Sequence, residues 1–280
     1  MLDGAKRRIQ ETYRQTAKIY DIGVSERLGD SKWGIESLTR LLLRDIEFQE
    51  NPVVLDLACG TGLSTFQLIE WLHGEGVFHG VDLSPEMITR AGENAEKLGY
   101  EIDFRVGDAE KLEYPDDSFD VVISNMSFQM FPHKLQALKE IYRVLRPGGV
   151  VGLLFGAGDH LHELVLLCRE VAVSHPELTD FNQSVSDIDW MHIDIDETQR
   201  LFYEAGLRRP QIHGYHRVMH VNPRRFWESN PYPAIWKTHI PLDTRDRVES
   251  EIVGLMETGS GDRGFRLNWY MIQAYGVKPR

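Results

Sequence analysis

Val54-Leu55-Asp56-Leu57-Ala58-Cys59-Gly60-Thr61-Gly62 carries a β-rich apolar run into a glycine turn, and a helical pattern begins near Leu63. Glycines in such a turn let backbone amides approach a ligand where no side chain is tolerated. A strand followed by Gly-x-Gly is common among α/β folds, so the signal needs a companion. Asp82 supplies one: it ends the next β-rich run, 20 residues beyond Gly62, the distance at which an acid meets ribose hydroxyls in a nucleotide-binding βαβ unit. The third glycine of the dinucleotide fingerprint would fall at Thr65 and is missing, which removes the close helix approach that seats a pyrophosphate. A nucleoside is favoured over a dinucleotide, and an NAD-dependent oxidoreductase is disfavoured with it.

From residue 53 to residue 155 short β-rich runs alternate with helical patterns, the signature of βαβ units and a parallel sheet. The runs are Val53–Leu57, Val77–Val81, Ile102–Val106, Phe119–Ile123 and Val150–Phe155. Three of them are nearly continuous in apolar residues, as strands covered on both faces are. Ser84 as N-cap, Pro85 at the first helical position and Gly99 as the stop bound one helix. Leu135, Leu138, Ile141, Tyr142 and Leu145 share a face of another, and Pro147-Gly148-Gly149 is read as its end. Beyond residue 159 the spacing gives a helix to His175, an irregular polar stretch to about Ile195, and a helix Glu197–Ala205 stopped by Gly206. Gln211–Val221 and Arg266–Val277 read as an antiparallel pair. The segment between them holds Trp227, Tyr232, Trp236, Pro223, Pro231, Pro233 and a helical stretch Val248–Met256, too much for a loop. At the N-terminus Lys6–Tyr20 and Ser37–Ile46 look helical, either as a packed pair or as a lid.

The chain has 280 residues, 31 Lys plus Arg against 43 Asp plus Glu, and a formal net charge of −12. Such a balance repels phosphate backbones, so nucleic acid is not an expected partner. No run approaches the roughly 18 apolar residues of a membrane span, and no signal-type apolar stretch follows the N-terminal basic residues. Cys59 and Cys168 are too few for a disulfide framework. A cytoplasmic protein is the expectation.

The sequence resembles the class I S-adenosylmethionine-dependent methyltransferases, in particular the small-molecule branch that contains the quinone C-methyltransferases. The resemblance spans roughly residues 50–156 and rests on five motifs in order: Leu55–Gly62, Gly80–Met87, Gly107–Leu112, Ser118–Val122 and Leu145–Gly149. A looser match is Tyr13–Asp21. It implies a Rossmann-like seven-stranded, mostly parallel α/β sheet with one antiparallel strand, helices on both faces, N-terminal helices and a C-terminal cap insertion. It also implies S-adenosyl-L-methionine as cofactor. Ala58, Gly60 and Gly62 would let backbone pass its methionine portion, with Asp56 beneath the turn, bonded to the turn amides or to water. Asp82 would accept the ribose hydroxyls. Leu83 and Met87 would lie along the adenine, while Asp108, after Gly107, would accept from its exocyclic amine and the Ala109 amide would donate to a ring nitrogen. Asn125 would face the transferred methyl. The corresponding organisation is a helical lid over 1–50, a cofactor-binding core over 51–221, a cap over 222–264 that selects the acceptor, and a final strand over 265–280.

Methyl transfer from a sulfonium needs alignment and exclusion of water more than a nucleophilic side chain. Where a general base helps, His133 and His160 are candidates by position at the sheet's carboxyl edge, and Tyr20 by the resemblance. His160-x-His162 does not share a helical face and has no third partner, so no metal is expected. Ser124-Asn125-Met126-Ser127-Phe128 lacks the two prolines of base-methylating enzymes. The aromatic set Phe128, Met130, Phe131, Trp190, Phe226, Trp227, Tyr232, Trp236 and Tyr270 is read as lining an apolar acceptor pocket, so a small-molecule acceptor is expected. Residues 217–266 hold eight basic against seven acidic side chains, which admits an anionic acceptor under the cap. A non-catalytic S-adenosylmethionine-binding regulator is the alternative function, and a homodimer through an exposed aromatic cap is left open.

Overall fold

The computed structural model describes residues 3–25, 34–230 and 232–280; Pro231 lies outside them. Helices α1 (Gly4–Ser25) and α2 (Ile35–Leu43) precede the sheet. Then β1 (Val53–Leu57), α3 (Leu63–Trp71), β2 (Val77–Asp82), α4 (Pro85–Leu98), β3 (Asp103–Val106), β4 (Phe119–Asn125), α5 (Lys134–Val144) and β5 (Leu145–Gly156) follow in alternation. The second half adds α6 (His162–Ser174), α7 (Thr179–Ser186), α8 (Ile188–Met191), α9 (Ile195–Glu204), β6 (Arg208–Val221), α10 (Pro223–Ser229), α11 (Ala234–Lys237), α12 (Arg245–Thr258) and β7 (Phe265–Val277).

All seven strands form one sheet in the order β3-β2-β1-β4-β5-β7-β6. The first five run parallel, and β7 is antiparallel to both β5 and β6. This is the expected Rossmann-like α/β sheet with a single reversed strand. The order turns at β1 and β4, and there the crevice for a ligand opens at the carboxyl ends of the strands. The local signals act as read for α4. The Ser84 hydroxyl accepts from the Met87 amide at 3.3 Å, Pro85 occupies the first turn, and Gly99 closes the helix at φ 73°.

Two expectations are corrected. Helix α5 stops at Val144, and Leu145-Arg146-Pro147-Gly148-Gly149 already belongs to β5, opposite a register shift between Phe119 and Val121 in β4. The stretch before Ile195 is not irregular, since it forms α7 and α8. Their apolar positions, Phe181, Val185, Ile188 and Met191, are buried, so burial and not caps holds these short helices. Helices α7 and α8 join α6 and the 222–264 helices in one layer: α12 packs on α6, and α11 on α7 and α1. This helical layer therefore draws on residues 162–191 as well as 223–258. Trp227 and Trp236, 1% and 0% exposed, are buried within this layer.

Candidate active site

At the carboxyl ends of β1, β2 and β4 one cavity runs between the sheet and α1. Its floor begins with the glycine turn. Gly60 and Gly62 take positive φ values of 57° and 85°, and the Gly62 amide donates to the Cys59 carbonyl at 3.0 Å. A Cβ on Gly62 would stand 2.7 Å from the Phe66 ring, so only glycine passes there. Ala58, a non-glycine at φ 58°, leads into the turn, and Met126 has φ 56° at the end of β4. Both line the cavity, and such strain concentrates where ligands are held.

The Asp82 carboxylate fastens the turn to β2: it accepts from the Gly60 amide and from the Ser84 amide, each at 2.9 Å. Burial pushes this carboxyl above its ordinary range, and those amides oppose the shift. Each oxygen keeps a further lone pair for a ligand. Asp56 is buried and accepts from the Thr65 hydroxyl at 2.6 Å. Burial raises its carboxyl to about 7, against the Thr65 bond, with nearby Asp82 adding to the rise. Thr65, noticed in the sequence only as a missing glycine, is the partner of Asp56 in place of the turn amides.

Past β3, Gly107, Asp108 and Ala109 line the same cavity, as do Leu83 and Met87 from the start of α4. Asn125, at the end of β4, donates to Thr39 Oγ1 at 3.1 Å and Ser64 Oγ at 3.0 Å. Its Oδ1, like the Thr61 hydroxyl, is buried with no hydrogen-bond partner among the described residues. Ten of the eleven expected cofactor residues thus share one cavity, and Gly62 shapes its floor from behind.

The roof is α1, which brings in Lys6, Ile9, Gln10, Tyr13 and Tyr20. Tyr20 lies over Gly60, and Tyr13 meets its ring edge-on at 6.1 Å between centroids. Burial raises both phenols far above their ordinary range, so they remain proton donors. Lys6 and Gln10 were not singled out in the sequence, and Tyr13 entered only through the looser match Tyr13–Asp21. Their signal is the spacing of positions 6, 10, 13 and 20 along one helical face, masked there because the face is neither wholly apolar nor wholly charged.

The two histidine candidates do not reach this cavity. His133 is exposed, its Nε2 3.1 Å from Asp3 Oδ2. His160 is fully buried among Trp269, Tyr232 and His192, with ring centroids 4.5, 5.2 and 5.7 Å away, and burial holds it well below the ordinary imidazole range. Of the nine residues read as an apolar acceptor pocket, Met130 and Phe131 line the cavity. Of the eight basic side chains between residues 217 and 266, Arg224 lies near Glu228 and Glu257, Lys237 near Glu249, Arg247 near Glu177, and Arg266 on Glu163. None of them lines the cavity, so the structure supplies no support there for an anionic acceptor. Among the described residues no group of three or more His, Cys, Asp or Glu is placed to hold a metal ion. No described helix is long and apolar enough to cross a membrane.

Residues 48–206 match the family described as "Methyltransferase domain". The chain belongs to this methyltransferase family. It is 30% identical over 233 residues to the biotin biosynthesis bifunctional protein BioHC of Teredinibacter turnerae, an alignment covering 79% of this chain and 38% of that protein. It is 26% identical over 230 residues to the demethylmenaquinone methyltransferase of Bacillus velezensis, covering 77% of this chain and 95% of the relative. Among solved structures, Haemonchus contortus phosphoethanolamine N-methyltransferase 2 superposes with a TM-score of 0.64 at 20% identity, covering 100% of this chain and 61% of that one. That likeness establishes the methyltransferase fold.

Proposed function

We propose that the protein transfers a methyl group from S-adenosyl-L-methionine to a small, partly apolar organic acceptor at oxygen, nitrogen or carbon. The observation that carries this reading is the Asp82 carboxylate, tied to the Gly60 and Ser84 amides at the mouth of a glycine turn, inside a cavity that Thr61 and Asn125, each with a buried unpartnered oxygen, also line. The unpartnered Asn125 Oδ1 and Thr61 hydroxyl fit the donor-rich amino-acid part of the cofactor, and the glycine turn leaves room for it. When bound, the cofactor supplies a sulfonium-activated methyl group.

The protein's share is binding, alignment and dryness. Asp82 accepts the ribose hydroxyls through its remaining lone pairs, Asp108 and the Ala109 amide read the adenine edge, and Leu83 and Met87 cover its face. Asp56 buttresses the turn through Thr65. Asn125 faces the reacting end. Tyr20 and Tyr13, protonated at working pH, position groups and close the cavity to water, since desolvation strengthens alignment around a charge-dispersing displacement. We assign 1–50 as lid, 51–221 with 265–280 as core, and 222–264, which packs on α6 and α7 of the core, as the cap that selects the acceptor. The acidic balance fits a cytoplasmic protein acting on a small molecule.

Assay with S-adenosylmethionine against a panel of phenols, quinols, amines and carbon acids tests the transfer itself. Formation of S-adenosylhomocysteine dependent on one acceptor supports it. Tight cofactor binding with no turnover on any acceptor points to a regulatory binding protein.

A further inference from the structure

We propose that Lys6 is a cofactor-positioning residue, holding the Asp108 carboxylate from the roof so that recognition of the adenine amine and closure of α1 are one event. The inference rests on reading the cavity as the S-adenosylmethionine site, and it goes beyond that reading by coupling one floor residue to one roof residue.

The placement of Lys6 starts at the helix end. Asp3 caps α1: its Oδ1 accepts the Lys6 amide at 2.9 Å, and its Oδ2 is 3.1 Å from His133 Nε2 on the core. The first turn of α1 is thereby fixed above the loop that follows β3. From there the Lys6 ammonium donates to Asp108 Oδ2 at 2.7 Å and pairs with the Glu110 carboxylate. The other Asp108 oxygen accepts the Glu110 amide at 2.9 Å. Asp108 is thus oriented from two sides, by its own loop and by the lid. The Lys6 and Glu110 side chains are only 11% and 6% exposed. Removing the cation leaves two neighbouring carboxylates facing each other in a partly dry site, a far larger disturbance than loss of a surface ion pair. Their repulsion turns Asp108 out of the orientation in which it accepts from an amine.

A second observation places the contact in a longer row. Gln10, one turn on, donates to the Leu83 carbonyl at 2.9 Å, and Tyr13 and Tyr20 continue the face toward Gly60. Lys6 therefore stands at the adenine end of a strap that runs the length of the cavity. The strap is separately held to the cap, where Arg8 donates to Asp187 at 2.8 and 2.9 Å. Loss of the Lys6 contact therefore frees the adenine end while α1 stays docked.

The test compares wild type, Lys6→Met and Lys6→Arg for binding of S-adenosylhomocysteine and of its analogue with unsubstituted purine in place of adenine, which lacks the amine donor and keeps the ring nitrogens as acceptors. Calorimetry gives affinities, and stopped-flow gives dissociation rates. Wild type is expected to prefer the amine ligand by about tenfold or more, as for a hydrogen bond to an ionised acceptor. In Lys6→Met the preference falls to within about threefold and dissociation of S-adenosylhomocysteine quickens by about tenfold or more, while Lys6→Arg restores most of both. An unchanged preference in Lys6→Met overturns the inference even where both ligands weaken together, because equal weakening is what a purely structural ion pair gives. Wild type binding both ligands equally also overturns it and leaves the cofactor reading standing. Wild type binding neither overturns that reading itself.

Discussion

The floor of the cavity is backbone: two glycines at positive φ, the amides of Gly60 and Ser84 on one carboxylate, and strand ends fixed by parallel pairing. Its roof is side chain: Lys6 on Asp108, Gln10 on a carbonyl, Arg8 on Asp187, and two tyrosine rings laid over the turn. A backbone floor is pre-organised and tolerates little change. A roof of long polar side chains can be rebuilt from substitution to substitution, and each contact contributes modestly except where the charges are dry.

The largest effect should come from cutting the floor at its knot. Asp82→Ala removes the acceptor for two backbone amides and for the ribose, and S-adenosylhomocysteine affinity by calorimetry should fall by about a hundredfold or more. A loss under tenfold would mean the floor does not depend on that carboxylate. Gly62→Ala should cost roughly 2–3 kcal/mol in chemical denaturation, because the new Cβ meets the Phe66 ring at 2.7 Å on a backbone at φ 85°.

The third prediction concerns pH. Burial lifts the Asp56 carboxyl to about 7 from a value of 3.8 in the unfolded chain, so between those limits the folded protein holds a proton that the unfolded chain has lost. Stability from this group is therefore full below about pH 4, falls as pH rises toward 7, and is flat above. Asp56→Asn should lack that slope, the difference being on the order of 3 kcal/mol between pH 4 and pH 8. Parallel profiles for the two proteins would contradict it. On the roof, Arg8→Ala should cost only about 1–2 kcal/mol of stability and leave S-adenosylhomocysteine affinity within about threefold, since Arg8 touches the cap and not the cavity.

The same contrast explains what could be read before the structure. The floor was legible because its chemistry is written in residues with few alternatives: Gly60 and Gly62 in a turn, Asp82 at a strand end, Ser84-Pro85 at a helix start. Strand alternation gave the sheet, and the reversed β7 beside β6 followed from two aromatic and β-branched runs. The roof was not legible, because Lys6 and Gln10 are ordinary helical surface residues until Asp108 and the Leu83 carbonyl stand opposite them. For the same reason the histidines misled: His133 and His160 sit near the right edge in sequence, yet one turns outward to Asp3 and the other is enclosed by Trp269 and Tyr232. The cap aromatics Trp227 and Trp236 looked like pocket walls and are the cap's own core, since sequence does not tell an inward face from a ligand-facing one.

Side-by-side calorimetric titration of the wild-type chain with S-adenosylhomocysteine and with NADH tests the central claim, that this floor is shaped for an S-adenosyl group. Saturable binding of one S-adenosylhomocysteine per chain, with no heat from NADH, is the predicted result. Absence of S-adenosylhomocysteine binding, or tighter binding of NADH, would contradict it.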